Sequence, residues 1–173
     1  ELELMKKAQE ITDKTFTDLL DVIHPGMTEK ELHRKLLCRL YENGADAPSF
    51  GPIVISGPNT SLPHGVASER VLQVGDFVTM DFGTKLGGYC SDMTRTVALG
   101  YATDEMQQVY DTVLRAQLAG IVATRAGVRG CDVDAAARKV IADAGYGEYF
   151  GHSYGHGIGL EVHEGPSCSP SYE

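Results

Sequence analysis

The sequence predicts an α+β fold in which the order helix, helix, β-hairpin is used twice, and three observations predict it. Apolar residues recur at helical spacing through the first 23 residues and again after Gly100. Two arms rich in β-branched and aromatic residues, "DFVTMDFG" and "YCSDMTRTVAL", flank a glycine pair and read as a hairpin. The order then begins again, with two more helical stretches and a strand-like, glycine-rich segment. No sequence identity relates the halves, so the repeat is one of architecture.

Each element follows from its residues. Leu4, Ala8, Ile11, Leu19 and Val22 give the first helix its apolar face, and His24-Pro25-Gly26 stops it. Thr28 starts a second helix, with Glu31 three residues on completing a capping box, and this helix runs to about Asn43-Gly44. "GPIVISGPNT" is a short strand fenced by Gly and Pro, and "LPHGVAS" is a loop. Helices are expected over about 103–124 and 132–144, then the strand-like "GEYFGHSYGHGIGLEVHEG". The chain stops at "SCSPSYE", so no returning strand is expected to pair with "GLEVHE".

With 173 residues the chain has the size of one domain and can bury a core. Its net charge of -9 argues against nucleic acid or an anionic membrane as a partner. No apolar run approaches the roughly 20 residues of a membrane span. Nor does "ELELMKKAQE" have the apolar core of a signal peptide. Cys38, Cys90, Cys131 and Cys168 form no Cys-x-x-Cys pair and read as reduced thiols, which points to the cytoplasm. A homo-oligomer is left open.

The chemistry concentrates in two places. With the hairpin turn centred between Leu86 and Gly87, Lys85 meets Gly88, Met80 meets Met93, and Asp81 meets Asp92. Aspartate is disfavoured inside strands, and like charges directly opposed destabilise a pair, so a cation between them would reverse the sign. A bulge at the glycines would weaken this reading. The second place is "GHSYGHGIGLEVHEG", with His152, His156 and His163 within twelve residues. Four glycines between 151 and 159 exclude a helical His-x-x-x-His face. In an extended segment His152 and His156 share a face, and His163 falls on the other unless a glycine bends the chain. His64, in the loop, is a weaker candidate by itself. Two carboxylates and an imidazole suit a divalent ion that accepts oxygen donors, such as Mn, Fe, Co or Zn, and the absence of thiolates argues against a structural zinc site.

"PHGVASERVLQVGDFVTMDFGTKLGGYCSDMTRTVALG" and "GHSYGHGIGLEVHEGP" resemble the signature segments of the pita-bread metallopeptidases, a family that includes methionine aminopeptidase, prolidase and Xaa-Pro aminopeptidase. The resemblance runs from about residue 3 to the end. It implies a pita-bread catalytic domain over residues 1–173, with two helix-helix-hairpin halves around an antiparallel sheet. A dinuclear centre is implied too, Mn first with Co, Zn or Fe as alternatives, to which Asp81, Asp92 and His156 match as ligands. His64 matches a histidine that contacts substrate or transition state, His163 a second substrate-facing one, and His152 one near the scissile-bond pocket of proline-specific members. Leu-Pro before His64, "SDMTRT" and "GLEVHEGP" resemble the Xaa-Pro dipeptidase and aminopeptidase branch more closely.

The activity implied is hydrolysis of the bond between an N-terminal residue and proline in a peptide substrate. Two ions about 3.5–4 Å apart would hold a bridging hydroxide and polarise the scissile carbonyl. Methionine aminopeptidase and a non-catalytic peptide-binding module of the same fold are the rival readings. One departure stands out: two family glutamate ligands match nothing here, Glu161 and Glu164 being off those motif positions. Two divalent ions carry +4 against the -2 of Asp81 and Asp92, so the set is short of ligands and charge. The expectation is a domain truncated at its C-terminal end, without the usual N-terminal domain and inactive by itself.

Overall fold

The computed structural model describes residues 1–172; Glu173 lies outside the described residues. The chain divides into two compact units, one of Glu1–Ala102 with Ile158–Val162, the other of Thr103–Gly157 with the residues from His163 onward.

The first unit opens with α1 (Leu2–Leu20) and α2 (Glu29–Glu42). The buried seam of α1 is Ala8, Thr12, Thr15 and Leu19, a helical spacing in which two of the four residues are threonines. Apolar periodicity therefore located the helix but placed its buried face slightly off. Thr28 caps α2 as expected: its hydroxyl accepts from Glu31 N, and Glu31 Oε2 accepts from Thr28 N at 2.7 Å.

The strands follow as β1 (Ala47–Pro48), β2 (Ile53–Ser56), β3 (Phe77–Phe82), β4 (Thr84–Leu86), β5 (Tyr89–Cys90) and β6 (Met93–Ala98). They form two antiparallel three-stranded sheets, β1-β4-β5 and β2-β3-β6. Along β3 the residues alternate. Val78, Met80 and Phe82 are buried with Leu19, Leu32, Leu36 and Leu40 of the helices, while Phe77, Thr79 and Asp81 occupy the other face. Burial of each such large side chain contributes about 1.5–3 kcal/mol, so this packing fixes which face of β3 carries Asp81.

The hairpin register differs from the expected one. Gly87 and Gly88 both have positive φ, +56° and +89°, and together form the turn, whose flanking pair is Leu86 and Tyr89. Two consecutive positive-φ residues are what the tight hairpin turn compatible with strand twist requires, and glycine adopts them without a Cβ clash. The turn thus sits one residue later than a Leu86-Gly87 centre. Asp81 pairs with Thr94 and Phe82 with Met93, so Asp81 and Asp92 are not directly opposed.

The second unit has α3 (Asp104–Ala123) and α4 (Gly130–Asp143), close to the expected spans, then β7 (Gly155–Gly157) and β8 (Glu164–Cys168). Small residues let the helices approach: Ala116 of α3 and Ala137 of α4 are buried with Ile141, and Val140, Tyr146, Phe150 and Tyr154 pack around them. Here too the expectation needs correction. A returning strand is present, since β8 pairs antiparallel with β7, and residues 158–163 form bends, not an unpaired strand. Gly157 lets the returning strand pass close by, since an added Cβ would meet Gly165 O at 2.7 Å and Glu164 O at 2.8 Å. Among the described residues no helix is long and apolar enough to cross a membrane.

Candidate metal and substrate site

Asp92 lies one residue before β6, in the gap where the hairpin passes from one sheet to the other. The pairings on both sides of the gap keep one register, so Asp92 stands opposite Gly83, two positions from Asp81's partner Thr94. That makes the two aspartates diagonal neighbours, about 7–8 Å apart in such a ladder. Alternation gives both the same face. Phe82 and Met93 are buried on the core side and Ser91 is buried against α1, so Asp81 and Asp92 turn away from α1. The shared face expected for the pair stands, but the direct opposition does not.

A buried hydroxyl cluster fixes the backbone beside Asp92. Thr12 Oγ1 lies 2.8 Å from both Thr84 Oγ1 and Ser91 Oγ. Ser91 Oγ also accepts from Thr84 N at 2.9 Å, and Ser49 Oγ donates to Ser91 O at 2.7 Å. The strands meet closely here, for a Cβ built on Gly83 would sit 1.8 Å from Ser91 O. Gly83→Ala is expected to cost at least the roughly 1–3 kcal/mol of an overpacked core, because the obstacle is backbone. A melting temperature equal to that of the unaltered protein would show that the approach is not needed.

Asp81 is half-buried on the central strand. Its Oδ1 atom is buried and accepts no hydrogen bond among the described residues, although the residue has other interactions. Thr79 and Thr96 share its face, their hydroxyls 2.9 Å apart. Ile53 and Ile55 of β2, which pair with Asp81 and Thr79, share it as well. The backbone of Gly65 rests on Ile55, where an added Cβ would come within 2.8 Å of Ile55 Cγ2. Gly65 N donates to Leu62 O at 3.1 Å, so Leu62-Pro63-His64-Gly65 is a turn, with Pro63 in the second position that proline favours. This turn lies on the Asp81 side of the sheet and exposes His64.

In the second unit His156 is exposed on β7. Its Nδ1 lies 3.0 Å from Gly157 O, and a carbonyl only accepts, so this contact is a hydrogen bond when Nδ1 carries the proton. The bend after β7 brings His163 back, and the two rings lie 4.1 Å apart between centroids. This bend does for His163 what an extended chain would not. His152 is exposed in a bend, its Nδ1 2.8 Å from Ser153 O and its ring edge-on to Phe150 at 4.9 Å. Period-two facing therefore does not apply to it.

Two carboxylates and an imidazole fit, as donor types, a divalent ion that accepts oxygen and nitrogen. Among the described residues no group of three or more His, Cys, Asp and Glu side chains is arranged to hold a metal. The hydroxyl cluster at Thr12, Thr84 and Ser91 was not anticipated from sequence; three scattered hydroxyl residues have no spacing that announces them. The pairing of Asp134 with Arg138 was also missed, though its four-residue spacing on a helix was visible.

Residues 3–173 match metallopeptidase family M24. The chain is 41% identical over 169 residues to the Xaa-Pro dipeptidase of Pyrococcus horikoshii, covering 98% of this chain and 48% of that protein. Among solved structures, the Xaa-Pro dipeptidase from Bacillus anthracis superposes with a TM-score of 0.97 at 48% identity, covering 99% of this chain and 48% of the other. Prolidase from Pyrococcus furiosus gives 0.97 at 40% identity, covering 100% of this chain and 51% of the other. The chain spans about half the length of the curated relatives it matches. The expected fold class, α+β of the pita-bread type, is the one these superpositions show. On this whole-length agreement of sequence and structure, the chain belongs to metallopeptidase family M24.

Proposed function

We propose that the full-length protein is a metal-dependent exopeptidase of the Xaa-Pro type, hydrolysing the bond between an N-terminal residue and proline. The observation that carries this reading is the 40–48% identity to proteins named Xaa-Pro dipeptidase or prolidase, in a chain that has Asp81, Asp92 and His156 at the positions proposed for ligands. Asp81, Asp92 and His156 are proposed as ligands of two divalent ions, Mn being favoured over Co, Zn or Fe. When bound, such ions would supply an activated water and Lewis-acid polarisation of the scissile carbonyl.

The chain's own residues have separate tasks. His64, exposed at the tip of a turn anchored on Ile55, donates a hydrogen bond from a ring N–H to the carbonyl oxygen as charge develops there. His163, beside His156, orients the substrate, and His152 lines the pocket for the residue at the scissile bond. An Xaa-Pro amide is tertiary and offers no N–H, so selection for proline depends on a pocket shaped for the ring. Four free, well-separated cysteines support a cytoplasmic setting.

The test is hydrolysis of Ala-Pro, longer Xaa-Pro peptides and Met-Ala by the full-length protein with Mn²⁺. Faster release from Met-Ala would move the assignment to methionine aminopeptidase. No turnover of any of them would favour the non-catalytic module. His64→Ala is expected to lower kcat by about 10²–10³ with metal content unchanged, the usual cost of one oxyanion donor. Loss of metal from that variant would give His64 a ligand role instead.

A further inference from the structure

One charged pair with a buried carboxylate has no place in the site described so far. Asp134 of α4 is 1% exposed and is gripped by Arg138 one turn on, whose Nε and Nη2 donate to its two oxygens at 2.8 and 3.0 Å. The same guanidinium donates from Nη1 to Phe150 O and from Nη2 to His152 O, each at 2.8 Å, and lies 4.4 Å over the Phe150 ring. Asp134 Oδ1 also accepts from Tyr154 N at 2.9 Å. Three alternate residues, Phe150, His152 and Tyr154, are thus held at their backbones by one ion pair. Tyr154 extends the grip to α3: its hydroxyl donates to Gln117 O at 2.7 Å and its ring fills the space left open by Gly120.

An exposed Asp–Arg pair at this spacing does no more than support its own helix. Burial of the carboxylate is costly unless its remaining acceptor capacity is used, and here it is used on a segment twenty residues away in sequence. That segment has little regular structure of its own: residues 151–154 are bends and coil, and β7 is three residues long. Its path therefore depends on these bonds. His152 lies inside the gripped stretch, and His156 follows two residues after Tyr154.

We propose that Asp134 and Arg138 are positioning residues for the histidine segment, fixing the path of residues 150–154 and through it the placement of the His152 and His156 imidazoles. This rests on the reading of His156 as a metal ligand. The planar guanidinium matters because it serves a carboxylate and two carbonyls at once; a lysine ammonium keeps the charge but not the fork.

The experiment compares Arg138→Lys and Asp134→Asn with His156→Ala in the full-length protein. It measures amide exchange in the metal-free state and Mn²⁺ affinity by calorimetry. Arg138→Lys is expected to lose amide protection at Tyr154 while α3 and α4 keep theirs, and to bind Mn²⁺ about 10–100-fold more weakly, the usual cost of losing an outer support of a ligand. Unchanged protection at Tyr154 with unchanged affinity would overturn the proposal. So would a loss of protection spread evenly over α3 and α4, which would make the pair a general stabiliser. If His156→Ala binds Mn²⁺ normally, the ligand reading fails by itself, and local loss at Tyr154 in Arg138→Lys still supports the grip on the segment.

Discussion

Asp92→Asn in the full-length protein is expected to abolish tight Mn²⁺ binding and to cut Ala-Pro hydrolysis by more than the roughly 100-fold that loss of an outer support costs. The substitution keeps the size of the side chain and leaves its buried neighbours, Ser91 and Met93, in place. It removes one of only two carboxylates on the Asp81 face of the hairpin that are proposed to neutralise the ions. Calorimetric titration with Mn²⁺ and the Ala-Pro assay check the two parts. Unaltered Mn²⁺ affinity would remove Asp92 from the ligand set.

Glu29→Ala is expected to destabilise the first unit by about 1–3 kcal/mol for each buried donor it leaves unsatisfied. Glu29, in the first turn of α2, is fully buried. Its Oε1 accepts from Ser56 N and Oγ at 2.7 and 2.8 Å and from Asn59 at 3.2 Å, and its Oε2 accepts from Ser68 N and Oγ at 2.9 and 2.7 Å. Removing it strands the buried Ser56 N at the end of β2 and the half-buried Ser68 N in the loop that leads from His64 to β3. Arg70 closes the network through Ser56 Oγ and a two-pronged pair with Asp76 at 2.6 and 2.9 Å.

The same network predicts an acid sensitivity with a definite sign. Burial alone would raise the Glu29 carboxyl, but hydrogen bonds from Ser68, Ser56 and Asn59 outweigh it and hold the group below its ordinary range. The Arg70 hydrogen bond likewise holds Asp76 low against its burial, with help from Gln73 N. Groups depressed in the folded state contribute stability that is fully present above their unfolded values, near pH 4, and is lost as pH falls through the folded values. The stability gap between the unaltered protein and Glu29→Gln is expected to be constant near neutrality and to shrink below about pH 4. A gap that widens on acidification, measured by denaturant melts, would contradict this.

Much of the architecture was legible in the chain itself because it depends on local chemistry. The capping box at Thr28 and Glu31 needs only four residues, and the helices after Gly100 need only their apolar spacing. The candidate residues were legible too, since aspartates inside a strand and three histidines among glycines are costly unless they have a use. Their arrangement was less so. The hairpin turn could be centred on Leu86-Gly87 or Gly87-Gly88, and the choice rests on the positive φ of both glycines. Face survived the change because moving the turn by one residue shifts partners by two, an even number in a structure of period two.

What the sequence determined by itself, then, is the set of elements, the face that Asp81 and Asp92 share, and the motifs that place the chain in its family. Tertiary structure alone decided three other things. It made the aspartates diagonal, it folded residues 158–163 into a bend that brings His163 against His156, and it tied Phe150, His152 and Tyr154 to Asp134 and Arg138. The physical reason is the same in each case. These contacts join residues with no periodic relation, so only the packing of the rest of the chain selects one path.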